Sequence, residues 1–254
     1  MSFFIEKKKM KKIRKMRMID IHTHLLFGVD DGPKTMEESI EMLKAAKAQG
    51  IDAMILTPHY RHGMFAYPNE KIEENFEKLE EVADEMGIDL YLGTEHHVNS
   101  MILEYIEKGR VHTLADTQYV LTEYKHDTEF DYIAKATRDL LRNGYIPIVA
   151  HVERYMCMHE DLNRVDWLRD VGAMIQVNAN AVLGLDGFRA KGFTKKLLKY
   201  GYVDFIGSDS HDLNKRANNL GKCREYLLKK KYDERYIDKI MRRNALEIIE
   251  SIEE

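Results

Sequence analysis

Seven short apolar runs alternate with amphipathic segments along this chain, and His, Asp or Glu stands at the end of six of them. The runs span residues 18–22, 53–57, 90–93, 119–123, 146–150, 174–178 and 204–206. They are apolar throughout rather than alternating, which is the pattern of parallel strands covered on both faces. Helical periodicity falls at 36–49, 69–86, 100–108, 132–143, 163–171, 194–200, 213–230 and 233–252. Gly50, Gly144 and Gly201 stop helices just before the next strand, as glycine does at a C-cap. The expected fold is α/β, a distorted (β/α)7 TIM-like barrel. A doubly wound open sheet is the second arrangement, since periodicity does not fix closure.

Charge is unevenly spread. The net charge is −4, yet residues 1–17 hold eight Lys or Arg against one Glu, so the remainder is strongly acidic. An acidic body argues against nucleic acid as a partner. The basic stretch 1–17 reads as a solvated or non-native tail, with Met16 or Met18 as an alternative start, or as an arm making weak contact with anionic membrane. It lacks the order of a secretory signal, because its charges follow the apolar residues. No apolar run reaches membrane-spanning length. Two cysteines, Cys157 and Cys223, form no disulfide framework, and a cytoplasmic location is expected. Residues 18–254 read as a single domain.

The strand-end residues are of the types that divalent cations take as ligands. Asp20-Ile-His22-Thr-His24 is followed by Asp30-Asp31-Gly32, then Thr57-Pro58-His59, Gly93-Thr94-Glu95, Ala150-His151-Val-Glu153-Arg154 and Ser208-Asp209-Ser210-His211. Glu123 ends the fourth strand. Barrels collect catalytic groups at the C-terminal ends of strands. The candidate ligands are therefore His22, His24, Asp31, His59, Glu95, Glu123, His151, Asp209 and His211. A lone strand-end His is commonly a structural residue, and a lone Asp commonly a helix cap. Nine ionisable groups at one mouth are too costly to bury without cations. The sixth strand, ending near Asn178, offers no strong ligand.

This motif set resembles the polymerase and histidinol phosphatase (PHP) family. Within it, the chain is similar to the bacterial manganese-dependent protein tyrosine phosphatases of capsule and exopolysaccharide synthesis. Met-Ile-Asp-Ile-His22-Thr-His24 with Val29-Asp-Asp-Gly-Pro33 carries most of the resemblance. Thr-Pro-His59, His151-x-Glu-Arg154-Tyr and Ser-Asp209-x-His211 with Arg216 add to it. It spans roughly residues 18–247. Val152 stands where the family has Pro, and His96 and His97 follow Glu95 where it has an apolar and then a basic or polar residue. The resemblance implies three ions, expected to be Mn, with Fe or Zn as alternatives that mixed N/O ligands admit. It places His22, His24, Glu95 and Asp209 around one. Glu95, Glu123 and His151 surround a second, and Asp31, His59 and His211 a third.

Such a centre suits phosphomonoester hydrolysis, because metals acidify bound water and neutralise phosphate oxygens. Attack would be in line, by metal-bound hydroxide and without a phosphoenzyme. Arg154 and Arg216 are candidates to grip phosphate, as guanidinium binds it bidentately. Neither cysteine begins a Cys-x5-Arg phosphate loop. The expected substrate is phosphotyrosine in a protein, the Tyr-rich tail of a cognate polysaccharide-synthesis kinase. Alternatives are a small ester such as histidinol phosphate, a non-catalytic metal-stabilised module, and a nuclease. The aromatic loop 60–67 is expected either to line a cleft for a phenyl ring or to pack on the rim. His112, His126 and His159 are expected at the surface.

Overall fold

A computed structural model describes residues 16–251. Nine strand segments form two parallel sheets. One has the order β1-β2-β4 and the other β3-β5-β6-β7-β8-β9. The segments are β1 (Ile19–Thr23), β2 (Ala53–Leu56), β3 (His59–Tyr60), β4 (Asp89–Leu92), β5 (Glu95–His97), β6 (Tyr119–Glu123), β7 (Ile146–Val149), β8 (Met174–Asn178) and β9 (Phe205–Gly207). Thr57-Pro58 separates β2 from β3, and Gly93-Thr94 separates β4 from β5. Pro58 has no N–H to donate, so the ladder breaks there. Its carbonyl still accepts from Glu95 N at 3.1 Å.

The sheets curl until first and last strands meet. Thr23 and Ser210 form a parallel bridge. His24 N donates to Ser210 O at 2.9 Å, and Asp209 N donates to His22 O at 2.8 Å. One buried cluster joins Ile19, Ala53, Ile55, Leu121, Ile148 and Phe205 to Leu246 and Ile249 of the last helix. A larger cluster sets Met54, Leu56, Val120, Val149, Ile175 and Val177 against helix residues such as Leu43, Leu79, Leu140 and Leu197. The strands are thus covered on both faces, as their composition implies.

Three helices differ from the periodic reading, and the one read at 194–200 begins already at Phe188. The stretch 213–230 is helical only over Leu220–Lys229. Before it, the Asp212 carboxylate accepts from the backbone N of Asn214 and Arg216, which fixes a turn instead. The last helical stretch is broken into Glu234–Asp238, a π segment Lys239–Arg243 and Asn244–Glu250. Asn244 Nδ2 there donates to Asp204 O at 2.8 Å. Short helices at Met156–Glu160 and Ala179–Leu183 had no periodic signal.

Residues 1–15 lie outside the described residues, and with them most of the basic stretch. Met16 is buried in the core, and Arg17 pairs with Asp52 at 3.1 Å. Among the described residues, no helix is long and apolar enough to cross a membrane.

Candidate metal centre

β1 holds one residue more than β2 between Asp20 and Thr23. Asp20 sits opposite Met54, but Thr23 sits opposite Leu56. The extra residue changes which side chains face inward. Ile19 shares a face with Ala53, and beyond the irregularity His22 and His24 both reach the centre. Glu95, at the start of β5, is the hub. Its Oε2 lies 3.3 Å from His22 Nε2, 3.1 Å from His24 Nε2 and 2.9 Å from His59 Nδ1. Its Oε1 accepts from His151 Nε2 at 2.7 Å.

Three groups place donor atoms within 4.8 Å of one another: His22, His24, Glu95 and Asp209; His24, Asp31, His59 and His211; and His59, Glu95 and Glu123. The first coincides with the set that the family resemblance implies. The second adds His24 to its expected trio. In the third, His59 takes the place expected for His151, which turns to Glu95 and stays 3.9 Å from Glu123 Oε1.

The donor set fits divalent cations. His22 Nε2 and His24 Nε2 face each other at 3.2 Å. Glu95 Oε2, although ringed by imidazole nitrogens, and His211 Nε2, 3.3 Å from Asp31 Oδ1, make no well-aligned hydrogen bond among the described residues. Converging lone pairs of this kind are costly to bury, and shared cations offset that cost. Mixed imidazole and carboxylate donors suit Mn, Fe or Zn.

The positioning groups were mostly missed in the sequence. Asp30, rather than Asp31, holds His24 Nδ1 at 2.8 Å and accepts from His59 N at 3.0 Å. Gln176 Oε1 lies 3.2 Å from His22 Nδ1 and accepts from His151 N at 2.7 Å. Asn178 Nδ2 donates to Asp209 Oδ2 at 2.9 Å. Tyr155 Oη sits 3.3 Å from His151 Nδ1. Such groups fix the orientation of metal-binding side chains. A signal existed, since Gln176-x-Asn178 puts two amides on one face of an apolar strand.

The backbone is constrained here too. A Cβ on Gly32 would meet His24 O at 2.1 Å, so only glycine allows Asp31 its approach. His151 and Asp209 adopt positive φ of 32° and 51° without being glycine. Such conformations persist where surroundings hold them, commonly at functional sites.

Both arginines reach the centre. Arg154 Nη2 is 2.5 Å from Asp209 Oδ2. Arg216 Nη1 is 2.9 Å from Asp31 Oδ2, and its Nη2 is 3.3 Å from Asp209 Oδ1. The turn at Asp212 aims Arg216 inward. In the loop after His59, the Phe65 ring stacks on His59 with centroids 5.6 Å apart. Tyr60 packs edge-on against Tyr105, and Tyr67 lies under Lys71, so these aromatics pack on the rim.

The remaining histidines are not all at the surface. His96 is buried, with Nε2 3.2 Å from His112 O. His112 is partly buried, 3.7 Å from Glu73. His159 stacks on Phe193 with its Nε2 2.7 Å from Glu153 O. Cys157 and Cys223 are buried free thiols.

Electrostatics divide the site. Burial opposes charge on Glu95 and Asp209. The surrounding imidazoles, led by His22 for Glu95, and Arg154 for Asp209, nonetheless hold both carboxyls well below the usual range. His24 is held well above its usual value despite burial, through Asp209, Asp30 and Glu95. Burial and the nearby His24 bring His211 down to about 4.

Glu153 behaves oppositely. Burial raises it from 4.5 to about 7, although its Oε1 accepts from Asn178 N at 2.9 Å. The folded state therefore binds more protons than the unfolded state across that window. Stability falls as pH rises through it, by about 3 kcal/mol in total. Glu153→Gln is expected to remove this slope, gaining stability over the parent near pH 8 but not near pH 5. Denaturant unfolding at both pH values measures it, and an unchanged slope would refute the assignment.

The model of the family "Capsular polysaccharide synthesis, CpsB/CapC" matches residues 18–250. Tyrosine-protein phosphatase CpsB of Streptococcus pneumoniae is 37% identical over 220 residues, 84% of this chain and 90% of that protein. Putative tyrosine-protein phosphatase CapC of Staphylococcus aureus is 31% identical, covering 78% of this chain and 79% of that protein. Among solved structures, one from a study of YwqE from Bacillus subtilis and CpsB from S. pneumoniae aligns with a TM-score of 0.75 and 29% identity. It covers 87% of this chain and 90% of its own, and those proteins are described as unique metal-dependent tyrosine phosphatases. A match over nearly all described residues, joined to the donor sets at the strand ends, shows that the chain belongs to the CpsB/CapC capsular polysaccharide synthesis family.

Proposed function

We propose that this protein is a metal-dependent protein tyrosine phosphatase serving capsule or exopolysaccharide synthesis. The observation that carries this reading is the sharing of ligands. Glu95, His24 and His59 each belong to two donor sets, while Arg154 and Arg216 converge on Asp209 at their edge. Counting β2 with β3 and β4 with β5 as interrupted strands, the scaffold is a (β/α)7 barrel, a single domain over residues 18–254. Three Mn ions, with Fe or Zn as substitutes, are the proposed complement. His151 completes the Glu95–Glu123 set, and the tail of a polysaccharide-synthesis kinase in the cytoplasm is the proposed substrate.

Bound cations would supply a nucleophile from water near neutral pH and neutralise phosphoryl oxygens. The chain's own residues do the rest. Arg154 and Arg216 present guanidinium donors to phosphate oxygens and exchange their contacts with Asp209 and Asp31 for them. Asn178 keeps Asp209 in place as Arg154 moves to substrate. Gln176 and Asp30 fix the imidazole planes of His22 and His24.

A groove of about 610 Å³ beside the centre supports a peptide substrate. Arg61, His62, His97, Tyr124, Lys125 and Tyr132 are among its lining residues. The Arg61 and Lys125 charges, against the single carboxylate of Glu129, suit acidic residues flanking phosphotyrosine. Arg61→Ala with Lys125→Ala is expected to lower the preference for an acidic over a neutral phosphotyrosine peptide by about tenfold, from two exposed charge contacts. Ratios of kcat/KM measure it, and an unchanged ratio would place peptide binding elsewhere. The central test compares turnover of a phosphotyrosine peptide with that of histidinol phosphate. Faster histidinol phosphate hydrolysis would overturn the protein-phosphatase reading.

A further inference from the structure

His97 belongs to none of the three donor sets, yet it stands on the same face of β5 as Glu95, two residues further toward the mouth. It is the register partner of Glu123 across the parallel β5–β6 pair, so both side chains leave the sheet on one side. His97 Nδ1 lies 3.3 Å from Glu123 Oε2, while Glu123 Oε1 points toward His151 Nε2 at 3.9 Å. His96, between them, turns away to the carbonyl of His112.

We propose that His97 is a positioning residue for the ion held by Glu95 and Glu123. With its proton on Nδ1, it donates to Glu123 Oε2 and leaves the other oxygen to the cation. Glu123 needs such a partner more than Glu95 does. Four imidazoles surround Glu95, whereas the Glu123 carboxylate is partly open to solvent at the end of its strand. Outer partners of ligating carboxylates restrict their rotation, and losing one costs about 10–100-fold in metal affinity. His97 thereby repeats on β5 the spacing of His22-x-His24 and Asp209-x-His211, but as a clamp.

This inference rests on the metal reading above, and the experiment separates the two. Protein loaded with Mn²⁺ is titrated with a competing chelator, and retained ions are counted by elemental analysis. Glu123→Ala should lose one ion of the parent's complement. His97→Ala should release that same ion at about tenfold lower chelator concentration, with the others unmoved. His97→Asn, whose amide N–H can donate from nearly the same place, should restore retention. The double variant should lose no more than Glu123→Ala alone, as coupled partners do. Parent-like retention in His97→Ala, with only a raised KM for peptide, would make His97 a substrate contact and overturn the inference. Full retention in Glu123→Ala would overturn the metal role of Glu123 itself. Failure of the parent to hold Mn²⁺ would remove both.

Discussion

Glu95→Ala is expected to empty two of the three donor sets and lower kcat/KM by about a thousandfold or more. The size follows from its place. Glu95 Oε2 is within 3.3 Å of nitrogens from His22, His24 and His59, and Oε1 binds His151. Without its charge, the four imidazoles repel one another whenever protonated, and a cation meets only neutral donors on that side. Glu95→Gln keeps the volume and one oxygen, so it should fall between Ala and the parent in ions retained. Elemental analysis and steady-state kinetics on the same preparations decide the matter. An Ala variant with full ion content and activity would show that the convergence on Glu95 is structural only.

Arg154→Ala should lower kcat by about a hundredfold to a thousandfold while leaving ion content unchanged, the scale seen when a preorganised donor to a developing charge is lost. Arg154 is the more consequential of the two arginines because its contact goes wholly to Asp209, within a set shared with Glu95. Arg216 divides between Asp31 and Asp209, and its own loss should cost less. Arg154→Lys keeps a charge without the planar fork, so it should recover only about tenfold of the deficit. If Arg154→Ala loses ions in proportion to activity, its role is to hold Asp209 rather than phosphate.

The candidate donor residues were legible because strand ends are legible. A single apolar run closing on His, Asp or Glu has a structural explanation, but six such runs sharing one mouth when the sheets curl do not. Glu123 was found only by its position on a strand, not by a motif. The grouping was harder, because a ligand's neighbours depend on strand register. The irregularity between Asp20 and Thr23 decides which face His22 takes, and no residue there announces it. Asp30 and Asp31 sit side by side in the sequence, yet one clamps His24 from behind and the other joins the donor set of His24, His59 and His211. Helical periodicity overran 213–219 because it carries no information about Asp212 capturing its own downstream amides. The π segment Lys239–Arg243 was hidden likewise, since its widened turn answers to packing and to Asn244 bonding Asp204.

The bridge between Thr23 and Ser210 also bears on when the protein can acquire its ions. Their hydroxyls meet at 2.8 Å although the residues stand 187 positions apart in the chain. His22 and His24 emerge early in synthesis, but Asp209 and His211 complete two of the three sets only near the end. Contacts of such long sequence separation form late and at high entropic cost. A chain still on the ribosome, or one truncated before Ser208, would bring half a centre to the metal pool and compete poorly for it. If the proposed ions bind these sets, loading would act as a checkpoint on completion of the fold, and metal content would report the fraction of molecules whose ends have met.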